Sequence, residues 1–267
     1  MTTALARSRA GDAFGPRPGS PAEAEPTALA AIALDDDGAV AWLEGHQHAD
    51  GGFGLASGVV RSDASTSLAA IALPGGAARE RALDHLVANR AQRLAATSDT
   101  PHDPAVRGWG WTPDTFGWVE PTARALLALR LFRPSAAEPI EDGMRLLSDR
   151  ECAGGGWNYG NDEVLGVRLP PYVQTTAVAL IGAQGALPDQ RDRALAVLAG
   201  AWTTEPGGLS LALTLAVFRL FDVGDASAVE ARLSRVFDER GFLGDVVTTA
   251  WSAIATGPAL ERIRVPA

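Results

Sequence analysis

From about residue 27 onward the apolar positions recur with helical spacing, and the segments they form are of two alternating kinds. One kind is apolar nearly all round: 27–34 (TALAAIAL), 64–73, 119–132, 172–183, 209–221 and 246–255. The other carries a single apolar stripe: Leu83, Leu86, Val87 and Leu94 in 77–95; Leu195, Leu198 and Trp202 in 189–203; Val229, Leu233 and Val236 in 226–237. Helices apolar on every face belong in an interior, and striped ones in an outer layer with one wet face. Their alternation predicts helical hairpins, each giving one inner and one outer helix, which is an internal repeat. Thr27, Thr66, Thr122, Thr176, Ser210 and Thr249 open comparable positions in the inner helices, at separations of 39, 56, 54, 34 and 39 residues. The extra length lies in loops 95–118 and 152–171, which hold Trp109, Trp111, Trp118, Trp157 and Tyr159.

Six inner and about five outer helices predict an all-α fold, an (α/α) toroid or double-layered helical barrel. An open solenoid is the alternative, but it would leave a large apolar face bare. Hairpins repeated head to tail would run all inner helices the same way. The loops entering them, among them 48–63, 108–118 and 154–172, would then gather on one rim beside the positive ends of the helix dipoles.

Composition narrows the chemistry. The chain has 267 residues, 46% of them hydrophobic, enough for one large domain; we expect it over 27–267, behind a flexible N-terminal leader at 1–26. A net charge of −9 disfavours nucleic acid and anionic membrane as partners. All 23 basic residues are Arg, which excludes a P-loop lysine and Schiff-base chemistry. Cys152 is the single cysteine, so no disulfide forms within the chain. The first 26 residues contain no apolar run of signal-peptide length, and no later stretch is long enough to span a membrane, so the expected location is cytoplasmic.

The segment AWLEGHQHADGGFG (41–54) resembles the Gln-Trp repeat of squalene cyclases and protein prenyltransferase β subunits, in which an outer helix ends in Gln, then Asp-Gly-Gly and an aromatic. Here these are Gln47, Asp50, Gly51, Gly52 and Phe53. LLSDRECAGGGWNYG (146–160) is similar, with Glu151 at the Gln position and Trp157 as the ring. The stretch 108–129 resembles the linker and inner helix of a third copy, and 201–215 and 238–253 are worn ones. The resemblance implies an α/α toroid in which the Gln ties one outer helix end to its neighbour. It also implies a hydrophobic, isoprenoid-like substrate in a central cavity.

The reactive motifs of those families are missing. Asp35, Asp36 and Asp37 lie between an inner and an outer helix, on the wrong rim for a cyclase acid, and read as a helix cap. Cys152 has Arg150, not Asp, two places before it, and no His follows residue 102, so a zinc site is not expected. His46, His48 and Asp50 could form a metal cluster, but the repeat already uses Asp50. No metal and no cofactor are expected.

What remains is the rim. Its acids offer Asp114, Glu120 and Asp162 as candidate catalytic residues. Trp109, Trp111, Phe116, Trp118, Trp157, Tyr159 and Tyr172, with Arg107 and Arg168, are candidate substrate-binding residues, although Phe53 and Trp157 also suit a purely structural role as capping rings of the repeat. Rings stabilise cations, and a carboxyl held against them can become a stronger base or a proton donor. The expectation is therefore a terpene-cyclase-like or prenyltransferase-like toroid acting on an isoprenoid or similar hydrophobic molecule. The alternative is a non-catalytic hydrophobic-ligand carrier, or a protein-interaction module that has lost the catalytic motifs.

Overall fold

The computed structural model describes residues 1–55, 58–96, 102–242 and 245–266; parts of the loops read at 48–63, 95–118 and 238–253 lie outside these. The chain is all-α. The apolar segments become α2 (Ala24–Leu34), α4 (Ser65–Ala72), α6 (Val119–Phe132), α8 (Val173–Gly182), α10 (Gly208–Phe221) and α12 (Val246–Thr256). Between them run α3 (Asp37–Gly45), α5 (Ala77–Ala88), α7 (Ala137–Asp149), α9 (Pro188–Ala201) and α11 (Ala226–Arg240). A short α1 (Thr2–Arg7) precedes this series and a 3-10 turn (Pro258–Ile263) follows it.

Packing follows the two kinds of helix. α2 lies on α4, α4 on α6, α6 on α8, α8 on α10, α10 on α12, and α12 returns to α2, so the six apolar helices form a closed circuit. Each intervening helix packs on the inner helix before it in the chain. Inner helices point the same way, because like ends meet. Arg130 near the end of α6 donates to the carbonyls of Gly182 and Gln184 at the end of α8, and Arg219 of α10 reaches Ala255 at the end of α12. At the opposite rim, Val119 N donates to Tyr159 O, Ala64 N to Trp111 O and Val246 N to Pro16 O.

One local device recurs at the start of four inner helices. Thr27 Oγ1 accepts from Phe14 N at 3.1 Å and donates to Phe14 O at 2.9 Å. Thr66 grips Phe53 in the same way, Thr122 grips Trp109, and Thr176 grips Trp157. A hydroxyl both accepts and donates, so one side chain satisfies both backbone groups of the aromatic residue. All four rings are buried. The two indoles are also fixed by their N–H: Trp109 Nε1 donates to Leu86 O and Trp157 Nε1 to Leu147 O, near the ends of α5 and α7. Ser210 and Thr249 mark the same register in α10 and α12 without such a partner among the described residues; Thr249 Oγ1 donates to Asp245 O.

The tie between outer helices is also present. Gln47 Nε2 donates to Gly51 O and to Ala78 O in α5, both at 2.8 Å. At the second copy Glu151 does the corresponding work with a bidentate pair to Arg193 of α9. Gly51 (φ +83°) and Gly155 (φ +89°) sit beneath these contacts, where a Cβ would run into the backbone of Arg81 and the Cβ of Arg193 respectively.

Three local readings change. The N-terminal segment packs rather than trailing: Leu5 and Phe14 are fully buried, and Arg9 pairs with Asp36. The reason is the Phe14–Thr27 grip, which makes this segment the entry loop of α2. Helix α5 ends at Ala88, not near residue 95, because Ala91, Gln92 and Leu94 give their N–H groups to Gly108, Thr115 and Pro104; Leu94 is exposed. Finally, Glu163–Val164 and Val167–Arg168 pair as a minimal antiparallel hairpin across Leu165-Gly166, both at positive φ.

Replacing Thr122 by Val removes both bonds to Trp109 and leaves a buried N–H unpartnered. The expected loss is about 1–3 kcal/mol of unfolding free energy, whereas Thr122→Ser keeps the hydroxyl and most of the stability. Equal denaturant midpoints for Thr122→Val and the unaltered protein would remove the grip from the account of the fold.

Candidate functional site on the aromatic rim

The loops that enter α4, α6 and α8 form one surface. Arg61 donates to Pro113 O and pairs with Asp114, joining the first loop to the second; the Val119–Tyr159 bond joins the second to the third. Every large hydrophobic side chain found exposed among the described residues lies in these three loops, from Leu55, Val59 and Val60 through Leu94, Trp111 and Phe116 to Tyr159 and Tyr172.

The middle of the ring is filled. Val119 to Leu129 are all buried, and Ala28, Leu29, Ala30, Ala69, Ala70, Ala125, Ala128, Ala177 and Ala179 have no accessible surface. An open hollow between the inner helices would expose such residues. Small side chains let the helices close in, so the expected central apolar cavity is absent from the described interior.

Across the mouth of the ring lies an ion triad. Arg124 of α6 reaches Glu120 one turn earlier at 2.6 Å and Glu25 of α2 at 2.9 Å. Burial works against the guanidinium charge, but the two carboxylates outweigh it and hold the Arg124 pKa above its ordinary value. Trp111 lies over the same guanidinium, 5.6 Å from ring centre to Cζ, while Nε and Nη1 have no hydrogen-bond partner among the described residues. Beside the triad, burial, Glu25 and Asp63 raise the pKa of Glu23, the residue before α2.

The candidate acids do not converge. Asp114, at φ +62°, is exposed and paired with Arg61; Glu120 is buried against Arg124; Asp162 sits at the base of the hairpin, its carbonyl accepting from Leu169 N. Trp109 and Trp157 are buried and spent on the helix-end bonds described above. Arg107 donates to Ala91 O, and Arg168 is exposed in the hairpin opposite Glu163. Trp111, Phe116, Tyr159 and Tyr172 are exposed, with Tyr159 against Tyr172 at 5.2 Å and Phe116 against Trp118 at 4.9 Å. The Asp35–Asp37 run is a cap, as its position suggests: Asp36 accepts from Ala39 N. Cys152 is buried, and burial raises its thiol pKa.

Phe116 and Trp118 do meet at a cleft. It has a volume of about 300 Å³ and lies between the loops entering α6 and α8, with Leu94, Val106, His102 and Arg150 among its walls. This size is at the small end of ligand pockets. A second cavity of about 390 Å³ is bounded by Trp42, His46, His48, Phe53, Val59 and Val60. His46 Nδ1 is held by Trp42 O, and Asp50 is occupied by Gly52 N and Ser62 Oγ. Among the described residues no three His, Cys, Asp or Glu side chains are grouped to hold a metal.

Several residues here escape a reading of the sequence. His85, isolated in the chain, lies 3.4 Å from Asp50, and Ser62 bridges Asp50 and His48. Glu25 and Arg124, 99 residues apart, carry no local signal of their pairing. His102 and Arg150 meet only through the folded loops. Phe14 was missed as part of the leader, although its separation of 13 from Thr27 repeats that of Phe53 from Thr66 and Trp109 from Thr122 and could have found it.

No family model matches the chain, and no curated protein matches it. Among solved structures it is similar to Salmonella alpha-2-macroglobulin reacted with methylamine, at 15% sequence identity and a TM-score of 0.44. The similarity covers 85% of this chain and 14% of that one. At this likeness nothing of that protein's chemistry transfers.

Removing Arg124 alone leaves two carboxylates facing each other in a buried setting. Arg124→Met is expected to cost about 3–5 kcal/mol of stability, and adding Glu25→Gln and Glu120→Gln is expected to restore most of it. Thermal and denaturant unfolding of the single and triple variants checks this; a triple variant no more stable than the single one would contradict it.

Proposed function

We propose that this chain is an α/α-toroid module of the squalene-cyclase and prenyltransferase type of architecture, acting as a non-catalytic carrier of a hydrophobic small molecule at its aromatic rim. The observation that carries the reading is the cleft walled by Phe116 and Trp118. The filled ring supports it from the other side, since chemistry on a long hydrocarbon needs an enclosed hollow that the inner helices do not leave. The ligand class is apolar and isoprenoid-like. In this reading Glu120 is structural, Asp114 anchors a loop, and Asp162 contributes charge near the cleft.

A second reading draws on a separate observation: the exposed apolar side chains are confined to one rim, the pattern of a protein-docking face. The two readings differ in what occupies the rim and are separable by a small-molecule titration.

Farnesol is the probe. Its addition is expected to quench tryptophan fluorescence saturably, and Trp118→Phe to remove most of that change. Phe116→Ala is expected to weaken binding by about ten-fold, equivalent to about 1.4 kcal/mol. No quenching by farnesol or by shorter and longer isoprenoid alcohols would leave the docking reading in its place.

A further inference from the structure

A second site lies in the cavity of about 390 Å³ between the end of α3 and the loop entering α4. It shares no wall residue with the cleft of Phe116 and Trp118, so the inference stands apart from the carrier reading. Three of its walls are rings: Phe53, Trp42 and His46, the last stacked on Trp42 with centroids 4.0 Å apart and planes at 16°. His48 completes the polar side, and the other walls are Ala, Gly and Val; none of the described wall residues is an acid or an arginine. The volume lies at the lower end of ligand pockets and suits a molecule of one or two fused rings.

The tautomer and aim of His48 follow from its hydrogen bonds. Ser62 Oγ lies 2.7 Å from Asp50 Oδ1 and 3.0 Å from His48 Nδ1. Burial opposes the Asp50 charge, but Gly52 N–H, the Ser62 hydroxyl, His85 and His48 hold its pKa below the ordinary value. A carboxylate only accepts, so the one hydroxyl hydrogen of Ser62 goes to Asp50, and Ser62 accepts from His48 Nδ1–H. In the neutral imidazole Nε2 is then a bare acceptor. Nδ1 points to Ser62, which is not a wall of the cavity. Cε1, between the two nitrogens, faces the wall residue Gly54, where a Cβ would come within 3.0 Å of it. The ring edge turned to the cavity is therefore Cε1–Nε2. Among the described residues Nε2 has no hydrogen-bond partner, and it is open to water. His46 repeats the pattern: its Nδ1 lies 2.7 Å from Trp42 O, which can only accept, so its neutral ring also keeps Nε2 as an acceptor.

A ring-lined cavity that offers acceptors suits a flat molecule bringing its own donor. We propose that this cavity binds a neutral aromatic molecule carrying a hydroxyl, a phenol, which packs among Trp42, His46 and Phe53 and donates its O–H to His48 Nε2. An ionised acid of the same shape has no proton to donate and meets no arginine on the described walls.

Titration calorimetry with β-naphthol and with its methyl ether, which keeps the rings but lacks the donor, tests this. β-Naphthol is expected to bind about ten-fold more tightly, the scale of one hydrogen bond. His48→Leu should bring β-naphthol down to the level of the ether and leave the ether unchanged. His48→Gln, whose amide oxygen accepts, should retain most of the preference. Trp42→Ala should weaken both compounds, and Phe116→Ala, in the other cleft, neither. Melting curves of the variants establish that they are folded. Equal binding of the two compounds by the unaltered protein would overturn the hydroxyl assignment, as would a preference that survives His48→Leu. Binding lost in Phe116→Ala but kept in Trp42→Ala would move the ligand to the other cleft and overturn the site. Binding of neither compound refutes the inference, whatever the farnesol titration shows.

Discussion

Six inner helices that all point the same way impose the main electrostatic constraint on this protein. Their dipoles do not cancel as they would in an antiparallel bundle, so one rim gathers positive helix ends and the other negative ends. The sequence answers at both. Glu25 and Glu120 lie in the first turns of α2 and α6, Asp63 accepts from Ser65 N at the start of α4, and Asp245 caps α12 through Thr248 N. At the far rim arginines serve the last carbonyls: Arg79 on Leu73, Arg130 on Gly182 and Gln184, Arg219 on Ala255, Arg264 on Leu220. A guanidinium has several donors in a fixed plane and can bridge two carbonyls, which a lysine ammonium does less well. The absence of lysine is consistent with that need, although it extends over the whole chain.

The interior explains why function is sought on the rim. Alanine-rich helices approach closely and fill the space that a hollow barrel would keep open. What varies between repeats is the entry loop: five residues separate α11 from α12, whereas thirty separate α5 from α6. A rigid scaffold presenting long loops on one side is a common way to carry a binding site. The ion triad across the mouth belongs to this design, since it joins α2 to α6 without passing through α4.

The helices were legible because each inner segment is apolar through full turns, and the circuit followed from counting them. The threonine register was legible as well, though its chemistry was not: nothing in the sequence says that Thr66 Oγ1 will hold the backbone of Phe53. The first entry loop was obscured by its Pro- and Gly-rich composition, which reads as a free leader, while Phe14 at its usual distance from Thr27 pointed the other way. The site was less legible. Rim aromatics were found as a group, but burial divides them: Trp109 and Trp157 are framework, Trp118 walls a cleft, and Trp111 covers an arginine. Such divisions depend on contacts between residues distant in the chain. His102 and Arg150, 48 positions apart, show the same limit.

The closing of the circuit has a kinetic meaning. The seam joins α2 to α12, helices more than 200 residues apart in the chain, and Val246 N also bonds Pro16 O across it. Contacts of such long range form late, because the chain must give up loop entropy before they repay it. On a ribosome α2 would wait for α12, its apolar side uncovered until α12 emerged. The Phe14 loop and α1 lie on that side of the ring, with α1 packed against both α2 and α12. They give the waiting helix a partial cover of its own, built from the residues synthesised immediately before it.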